Sequence, residues 1–138
     1  MNIREYNAFC RKLAATTHVV QWGGSHVWKV GGKVFAIAGD DEGRLSVTFK
    51  VSDLAFEILK DRRGLRPAPY LASRGLKWIQ HFARPGLTDA ALRDYLRQSH
   101  ALVALGLPKK KRIELGLETH DARSRSRGKR VGRGLTVG

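Results

Sequence analysis

The sequence contains a single cysteine, Cys10, among its 138 residues. A lone cysteine excludes an internal disulfide and fits a reducing compartment, where thiols stay reduced. Cys10 falls on the apolar face of the first predicted helix, so we expect a buried and unreactive thiol. No apolar run is long enough to cross a bilayer, and the first residues do not form a signal-peptide core. We therefore expect a cytoplasmic protein without a membrane partner.

The sequence also lacks recognisable catalytic and metal-binding motifs. Its five histidines show no metal-ligand spacing with Cys10 or with acidic residues. Neither a P-loop nor a dinucleotide-binding fingerprint occurs. Ser99 and His100 are neighbours in a predicted helix, and adjacent helical residues do not face each other as a nucleophile and its base. We expect a binding protein without a metal or cofactor rather than an enzyme.

Acidic residues are scarce, with 12 Asp and Glu against 26 Lys and Arg, which gives a formal net charge of +14. A small protein with this charge attracts polyanions, nucleic acid first and anionic membranes second. The alternative is a basic surface that only keeps the protein soluble. Apolar residues make up 42% of the chain, which is long enough for one domain with a core.

The rest of the chain is organised around residues 27–51, where three consecutive antiparallel strands are predicted. Residues 45–51 alternate between apolar and polar side chains, the period of a half-buried strand. The continuous apolar run at residues 34–38 indicates either a strand covered on both sides or a short buried helical segment. Gly31 and Gly32 suit the two-residue turn of a hairpin.

Three adjacent acids, Asp40, Asp41 and Glu42, lie in the predicted loop between Gly39 and Gly43. A metal site would need further ligands at a suitable spacing, and none follows. We interpret this loop as a solvated hairpin tip.

Four helix starts are predicted from capping residues. Asn2 and Glu5 fit a capping box, and the helix that they begin is expected to end at residues 16–18. Ser52 caps a second helix, and Thr88 caps a third. The predicted buried stripe of the second helix is Leu54, Ala55, Ile58 and Leu59, with Gly64 as its C-cap. In the third helix the apolar stripe is Leu92, Tyr95 and Leu96, and Ser99 is expected to cap a separate helical piece that ends before Gly106.

Trp22 and Trp28 are predicted to be core or sheet-face residues. The alternative is that aromatic side chains beside basic ones stack on nucleic-acid bases. Residues 66–71 contain two prolines and predict a loop that enters a short edge strand, and residues 77–82 predict another strand. Arg74 and Lys77 flank the turn between them. They fit either a wing that touches phosphate or the charges that keep an edge strand from unwanted pairing.

Basic residues are concentrated near the C-terminal end of the sequence. Residues 109–112 are four consecutive cations that precede a short final helix. We divide the chain into a domain at residues 1–117 and a basic tail at residues 118–138. Cations alternate with small residues in this tail, at Arg123, Arg125, Arg127, Lys129 and Arg130. Little of the tail can fill a core, so we predict that it is disordered when free and binds phosphates without reading sequence.

Several short segments occur in an order that matches one known family. They are Trp22-Gly23 and residues 33–36, 49–52, 67–71, 77–79, 99–103 and 107–110. On these segments, nearly the whole chain before the tail resembles the MmcQ/YjbR-like family of small bacterial proteins. Two features depart from the family pattern: His100 stands where the family more often has Tyr, and the Arg-rich tail lies outside it.

The resemblance implies an α+β fold like that of CyaY, with an antiparallel sheet backed by helices. It also implies DNA binding through a pair of hairpin wings, and DNA is therefore expected over RNA. The matching positions are basic residues on hairpins and near the last helix: Lys29, Lys33, Lys50, Arg74, Lys77, Lys109, Lys110, Lys111 and Arg112. Iron binding, known for frataxin-like proteins, is not transferred, because the first helix has Glu5 against several cations and repels metal ions. The alternative is a small protein- or ligand-interaction module whose basic surface is incidental.

Overall fold

The computed structural model describes residues 1–71 and 74–118. The elements in chain order are α1 (Ile3–Arg11), β1 (Thr16–Gln21), β2 (Ser25–Val30), β3 (Lys33–Asp41), β4 (Arg44–Lys50), α2 (Asp53–Leu59), β5 (Leu65–Pro67), β6 (Trp78–His81), α3 (Asp89–Leu105) and α4 (Lys109–Glu114). The predicted α+β class and the helix-backed antiparallel sheet are confirmed.

The sheet has six strands in the order β1-β2-β3-β4-β6-β5, and every neighbouring pair is antiparallel. The three strands predicted within residues 27–51 are β2, β3 and β4, and β1 extends this meander at one edge. Gly31 and Gly32 have φ angles of 58° and 83°, which a two-residue hairpin turn requires and glycine adopts without strain. β5 is a short edge strand, as predicted near the prolines, but it comes before the proline-containing loop and not after it.

Helices α1, α2 and α3 pack on one face of the sheet, and the core lies between them and the strands. The Tyr95 ring of α3 stacks on Phe49 of β4, with ring centroids 5.9 Å apart. In α1, Asn7 Oδ1 accepts a hydrogen bond of 2.9 Å from Trp28 Nε1. The large, fully buried side chains of this core include Tyr6, Phe35, Phe49, Leu59, Ile79 and Leu96. Cys10 is buried among them, as predicted.

The apolar run at residues 34–38 does not mark a strand covered on both sides. The register between β2 and β3 shifts at a β-bulge, and the consecutive residues Phe35 and Ala36 both lie on the helix-covered face. Phe35 meets His100 of α3 edge-on, with ring centroids 5.3 Å apart, while Ala36 pairs across the strands with Phe49. Their neighbours on the other face are only half-buried. A bulge, rather than a second layer, explains the missing alternation.

The start of α1 is confirmed by a capping box between Asn2 and Glu5. Its end differs from the prediction, since residues 16–18 begin β1 instead of closing the helix. Thr16 Oγ1 donates to the Leu13 carbonyl at 3.1 Å. Thr16 is therefore the first residue of β1 and also the hydrogen-bond donor to a backbone carbonyl that follows the helix.

The second helix starts at the predicted N-cap but buries a different face. Phe56, which the predicted stripe omitted, is buried, whereas Leu54 and Ile58 are 72% and 54% exposed. Burying the large Phe56 ring removes more apolar area from water than burying either of them. The C-cap prediction was wrong as well, because Gly64 lies beyond the helix in the turn before β5. A Cβ there would be 2.1 Å from the Ala83 carbonyl oxygen, so close backbone approach requires this glycine.

The third helix starts at Thr88 as predicted but is a single continuous helix. The second N-cap predicted at Ser99 is absent, because Ser99 is fully buried in the middle of α3. Its hydroxyl lies within hydrogen-bonding distance of the carbonyl oxygens of Lys50 and Tyr95. With such acceptors available, a serine does not need to end a helix.

The two tryptophans of the N-terminal half lie in different environments. Trp28 is 2% exposed, as predicted, and the His18 ring stacks on it with centroids 4.7 Å apart. Trp22 is 64% exposed in the β1–β2 turn, with a φ of 53°. The prediction of a core or sheet-face position is therefore correct for Trp28 and wrong for Trp22.

Candidate nucleic-acid interface

One end of the sheet gathers most of the predicted contact residues. The strand register pairs Val30 with Lys33 and Lys50 with Trp78, so the β2–β3 turn, the end of β4 and the start of β6 lie side by side. We call this region the hairpin end. The loop from β5 to β6 also lies there, because Pro67 pairs with Ile79. The cations that the strands and this loop supply are Lys29, Lys33, Lys50, Arg74 and Lys77.

Helix α4 lies against the same end. A Cβ placed on Gly31 in the β2–β3 turn would be 2.6 Å from Leu107 Cδ1 and 3.2 Å from Leu115 Cδ1. These two leucines bracket α4, so the helix is fixed next to the turn. Its exposed cations are Lys109, Lys110 and Lys111. Two groups of basic residues that lie far apart in sequence are therefore neighbours in the fold.

Arg112 differs from the three lysines before it. One of its Nη atoms donates to the carbonyl oxygens of Leu105 and Leu107, and its Nε donates to Glu118 Oε1 at 3.0 Å. The guanidinium therefore satisfies carbonyls at the end of α3 and joins α4 to it. These bonds give Arg112 a structural role, and its other Nη atom forms no hydrogen bond within the described residues. Lys109 Nζ lies 3.7 Å from the other Glu118 oxygen.

Glu118 is the first residue of the predicted tail, yet it pairs with α4 through these contacts. The remaining tail predictions lie outside the residues that the structure describes. They concern Arg123, Arg125, Arg127, Lys129 and Arg130.

Lys77 is partly engaged in packing. Its Nζ lies 4.7 Å from the centre of the Phe56 ring in α2, a cation–π contact that orders the side chain. Glu57 lies nearby, and its pKa is lowered by the hydrogen bond and charge of Lys60 and to a smaller extent by Lys77. Lys77 therefore borders the hairpin end with its ammonium group partly shielded.

The opposite end of the sheet has a more balanced charge. β3 continues to Asp41, so the predicted acidic loop is reduced to a turn at Glu42 and Gly43. Acidic residues at this end are Asp40, Asp41, Glu42, Asp61 and Asp89, and basic ones are Arg44, Arg62, Arg63 and Arg84. At the hairpin end, cations outnumber acids among the described residues, so its electrostatic potential is the more positive.

A cavity of about 790 Å³ also lies at the opposite end, away from the predicted contact residues. His81, Arg44, Arg84 and Asp89 are among its lining residues. Asp89 pairs with the N-terminal amino group at 2.9 Å, and the hydrogen bond lowers the pKa of this carboxyl. Neither ring nitrogen of His81 has a hydrogen-bond partner among the described residues.

Other reactive side chains in the described part of the chain are poorly placed for chemistry. Burial raises the pKa of the Cys10 thiol to about 12, so it stays protonated and is a weak nucleophile. Within residues 1–71 and 74–118, no three His, Cys, Asp or Glu side chains are grouped to hold a metal ion. In the same residues, no helix combines the length and apolar character that a membrane span needs.

A model of the YjbR family matches residues 11–102, which is more than half of the chain. The chain belongs to the YjbR family. No curated protein sequence matches it, so the match identifies the family without assigning an activity. The matched residues include the whole sheet and most of α3, while α4 and its lysines lie beyond them.

Two solved structures share the YjbR fold seen here. A Deinococcus radiodurans protein with the family-model domain DUF419 superposes with a TM-score of 0.73 at 22% identity, covering 84% of this chain and 88% of its own. A Pseudomonas syringae protein superposes with a TM-score of 0.60 at 18% identity, covering 75% of this chain and 99% of its own. At these identities the similarity establishes the fold alone.

Sequence reasoning missed one group of exposed polar side chains on the sheet of this YjbR protein. Arg66 on β5 donates from Nε to Gln80 Oε1 at 2.8 Å, and its guanidinium carbon lies 4.4 Å from the centre of the Phe82 ring. Trp78 lies on the same side of β6 as Gln80. A strand at residues 77–82 could be predicted from the sequence. The pairing of Gln80 with Arg66 could not, because it depends on the register between β5 and β6.

Proposed function

We propose that this YjbR-family protein binds nucleic acid, DNA in preference to RNA, largely without regard to sequence. Phosphates bind at the hairpin end, where the strand cations and the exposed lysines of α4 are neighbours. This collection of cations from distant segments at one end of the sheet is the observation that supports the proposal. The protein acts by binding, with no catalytic step, metal or cofactor, in the reducing cytoplasm that its single cysteine suits.

Lys33, Lys110 and Lys111 are the strongest candidates for phosphate contacts. All three are exposed, and none forms an ion pair within the described residues. Their ammonium groups are therefore free to replace the counterions of a phosphate backbone, which is the main source of sequence-independent affinity. Lysine suits such contacts, because it acts as a flexible point charge and needs no fixed geometry.

The test is a titration of a labelled 20-base-pair DNA duplex at several salt concentrations, followed by fluorescence anisotropy. The variant replaces Lys33, Lys110 and Lys111 with Gln, and its matched control replaces Arg44, Arg62 and Arg63 with Gln. Both lose three positive charges, the first at the hairpin end and the second at the opposite end. Each lost phosphate contact should reduce the slope of log affinity against log salt by about 0.9.

We expect the first variant to bind DNA more weakly, and its slope of log affinity against log salt to fall by up to about three times 0.9. The control should lose much less affinity and much less slope. Equal losses in both variants would show that overall charge, rather than the hairpin end, determines binding. Absence of binding to DNA and RNA at low salt would reject the function. Deleting residues 119–138 should weaken binding further and flatten the slope.

A protein-interaction module is the second candidate, favoured by exposed apolar side chains at the β1 edge. Val20 and Trp22 are 52% and 64% exposed there. A defined partner that copurifies after nuclease treatment, and is lost in Trp22→Ala, would support this function instead.

A further inference from the structure

The face of the sheet opposite the helices, which we call the open face, has its own pattern of side chains. Among the described residues, α1, α2 and α3 all pack on the other face. Val27 on β2 is fully buried, but the open-face side chains of β4, β5 and β6 are half-buried or exposed and can reach a ligand. Lys50 and Trp78 are directly opposite each other on β4 and β6, and Thr48 and Gln80 form the next pair. Arg66 pairs with Gln80 from β5. Side chains opposite each other in neighbouring strands lie on one face and in reach of one another.

The exposed Arg66 guanidinium is restrained on this face by two contacts. Its Nε hydrogen bond to Gln80 and its stacking on the Phe82 ring restrict the side chain from two directions. Within the described residues only Nε of Arg66 forms a hydrogen bond, so its two terminal amino groups can donate to a ligand. A restrained guanidinium loses less entropy on binding and is well shaped for a phosphate group.

The charge of the open face favours an anionic ligand. Lys29, Lys50 and Arg66 contribute three cations to the strands of this face. The acidic residue that the described strands add to it is Asp41, which lies at the opposite end and pairs in register with Arg44. The region around Trp78 is therefore positive as well as aromatic.

An aromatic side chain between cations on an open sheet is suited to an unpaired base. Base–aromatic stacking tolerates every base, and neighbouring cations follow the backbone of the strand. Bases inside a duplex are already stacked on each other and cannot lie flat on a tryptophan of a sheet. Half-buried Trp78 is thus positioned for a single strand and not for a double helix.

We propose that single-stranded nucleic acid binds across the open face, with a base stacked on Trp78 and phosphates at Lys50 and Arg66. This inference rests on the proposed nucleic-acid binding and adds a second surface that selects the strand state. The duplex contacts at the hairpin end and the single-strand contacts on the open face share Lys50, which lies at the border of both.

The experiment compares a 20-nucleotide oligothymidine with a 20-base-pair duplex at one low salt concentration. Trp78→Ala should weaken oligothymidine binding about tenfold, within the range that removal of one stacking partner produces, and change duplex affinity less than about twofold. Trp78→Phe keeps an aromatic ring and should retain most of the affinity. Trp22→Ala is the matched control, since it removes a more exposed tryptophan at the opposite end and should change neither affinity.

Tryptophan fluorescence provides a second readout that a loss of stability does not imitate. Oligothymidine should quench the emission of the full-length protein, and Trp22→Phe should retain this quenching while Trp78→Phe loses it. The inference is overturned if Trp78→Ala leaves oligothymidine binding unchanged, or weakens duplex and single strand equally. If the hairpin-end variant still loses duplex affinity in that case, the proposed function stands and only the open-face site is rejected. If the unmodified protein binds neither the oligothymidine nor the duplex, the proposed function and the open-face site are both rejected.

Discussion

The Ser99 hydroxyl, buried in the middle of α3, donates a hydrogen bond to the backbone carbonyl of Lys50 at the end of β4. This contact joins the longest helix to the strand end that carries a predicted phosphate-binding lysine. The Tyr95 carbonyl, one turn earlier in α3, is the second acceptor near the same hydroxyl. The hydroxyl oxygen of Ser99 therefore fixes the position of α3 along the strands of the sheet.

Ser99→Ala should reduce the free energy of unfolding by about 1 kcal/mol. Losing the hydrogen bond and leaving the Lys50 carbonyl without this donor costs roughly 1–3 kcal/mol. Alanine has the higher helix propensity, which offsets about 0.5 kcal/mol of this cost. Urea unfolding measures the difference. Gln98→Ala, at the exposed neighbouring position, is the control and should stay within about 0.5 kcal/mol of the unchanged protein. Identical midpoints for Ser99→Ala and the unchanged protein would contradict the proposed link.

Gly31→Ala should destabilise the fold more than Gly32→Ala. Both glycines have positive φ, so either substitution strains the turn by about 1 kcal/mol. Only at Gly31 does the new methyl group meet other atoms, at 2.6 Å from Leu107 Cδ1, while nothing lies within 4 Å at Gly32. Leu107 is itself buried, so repacking adds roughly 1–3 kcal/mol. Equal urea midpoints for the two variants would show that α4 is not packed on the turn.

Much of this architecture follows from local signals in the sequence. Alternation at residues 45–51, paired glycines at the β2–β3 turn and capping residues at Asn2, Ser52 and Thr88 each depend on nearby atoms only. They located the meander and every long helix start. The β1 strand was missed, because Thr16 serves both the helix end and the strand start.

The errors and omissions depend on long-range contacts. Whether Ser99 caps a helix or bonds to a strand is decided by the Lys50 carbonyl, 49 residues away. The burial of Phe56 in place of Leu54 depends on how α2 is rotated against the sheet. For the candidate interface, the cations could be read from the sequence but their grouping could not, and nothing in the sequence distinguishes Arg112 from the neighbouring lysines. Only the fold shows that its Nε and one Nη atom donate to Glu118, Leu105 and Leu107.

Acid should destabilise this protein through His81 before any carboxylate is protonated. Burial lowers the pKa of His81 below its usual 6.5. The nearby backbone at Leu87 and His81 and, to a smaller extent, Asp89 oppose this shift, and the N-terminal amino group adds to it. The folded state therefore binds the proton less tightly than the unfolded chain. Stability is complete above the unfolded pKa and falls as the pH drops below about 6.5.

The check compares unfolding free energies at pH 7.5 and pH 5.5 for the unchanged protein and for His81→Leu. The unchanged protein should lose more stability over this interval than the variant does. The pKa of His18 is lowered as well, chiefly by partial burial, but His18 is present in both proteins and cancels in the comparison. Parallel pH profiles would show that His81 is protonated as easily in the fold as in the unfolded chain.

Arg112→Lys and Lys110→Gln should separate stability from nucleic-acid binding at two positions of the same helix. Arg112→Lys preserves the positive charge but removes the forked donor that reaches Leu105, Leu107 and Glu118. We expect a loss of about 1 kcal/mol in unfolding free energy, because the partly buried Leu107 carbonyl and Glu118 carboxylate lose their donor. The salt dependence of duplex binding should not change.

Lys110→Gln should show the reverse result. Lys110 is exposed and has no ion-pair partner among the described residues, so its removal should change stability by less than about 0.5 kcal/mol. If its ammonium group contacts a phosphate, the slope of log affinity against log salt falls by about 0.9. Urea unfolding measures the change in stability of each variant, and anisotropy titrations at several salt concentrations measure the change in its salt slope. A slope that changes for Arg112→Lys but not for Lys110→Gln would reverse the roles assigned here, because the internally bonded guanidinium would then be the phosphate ligand.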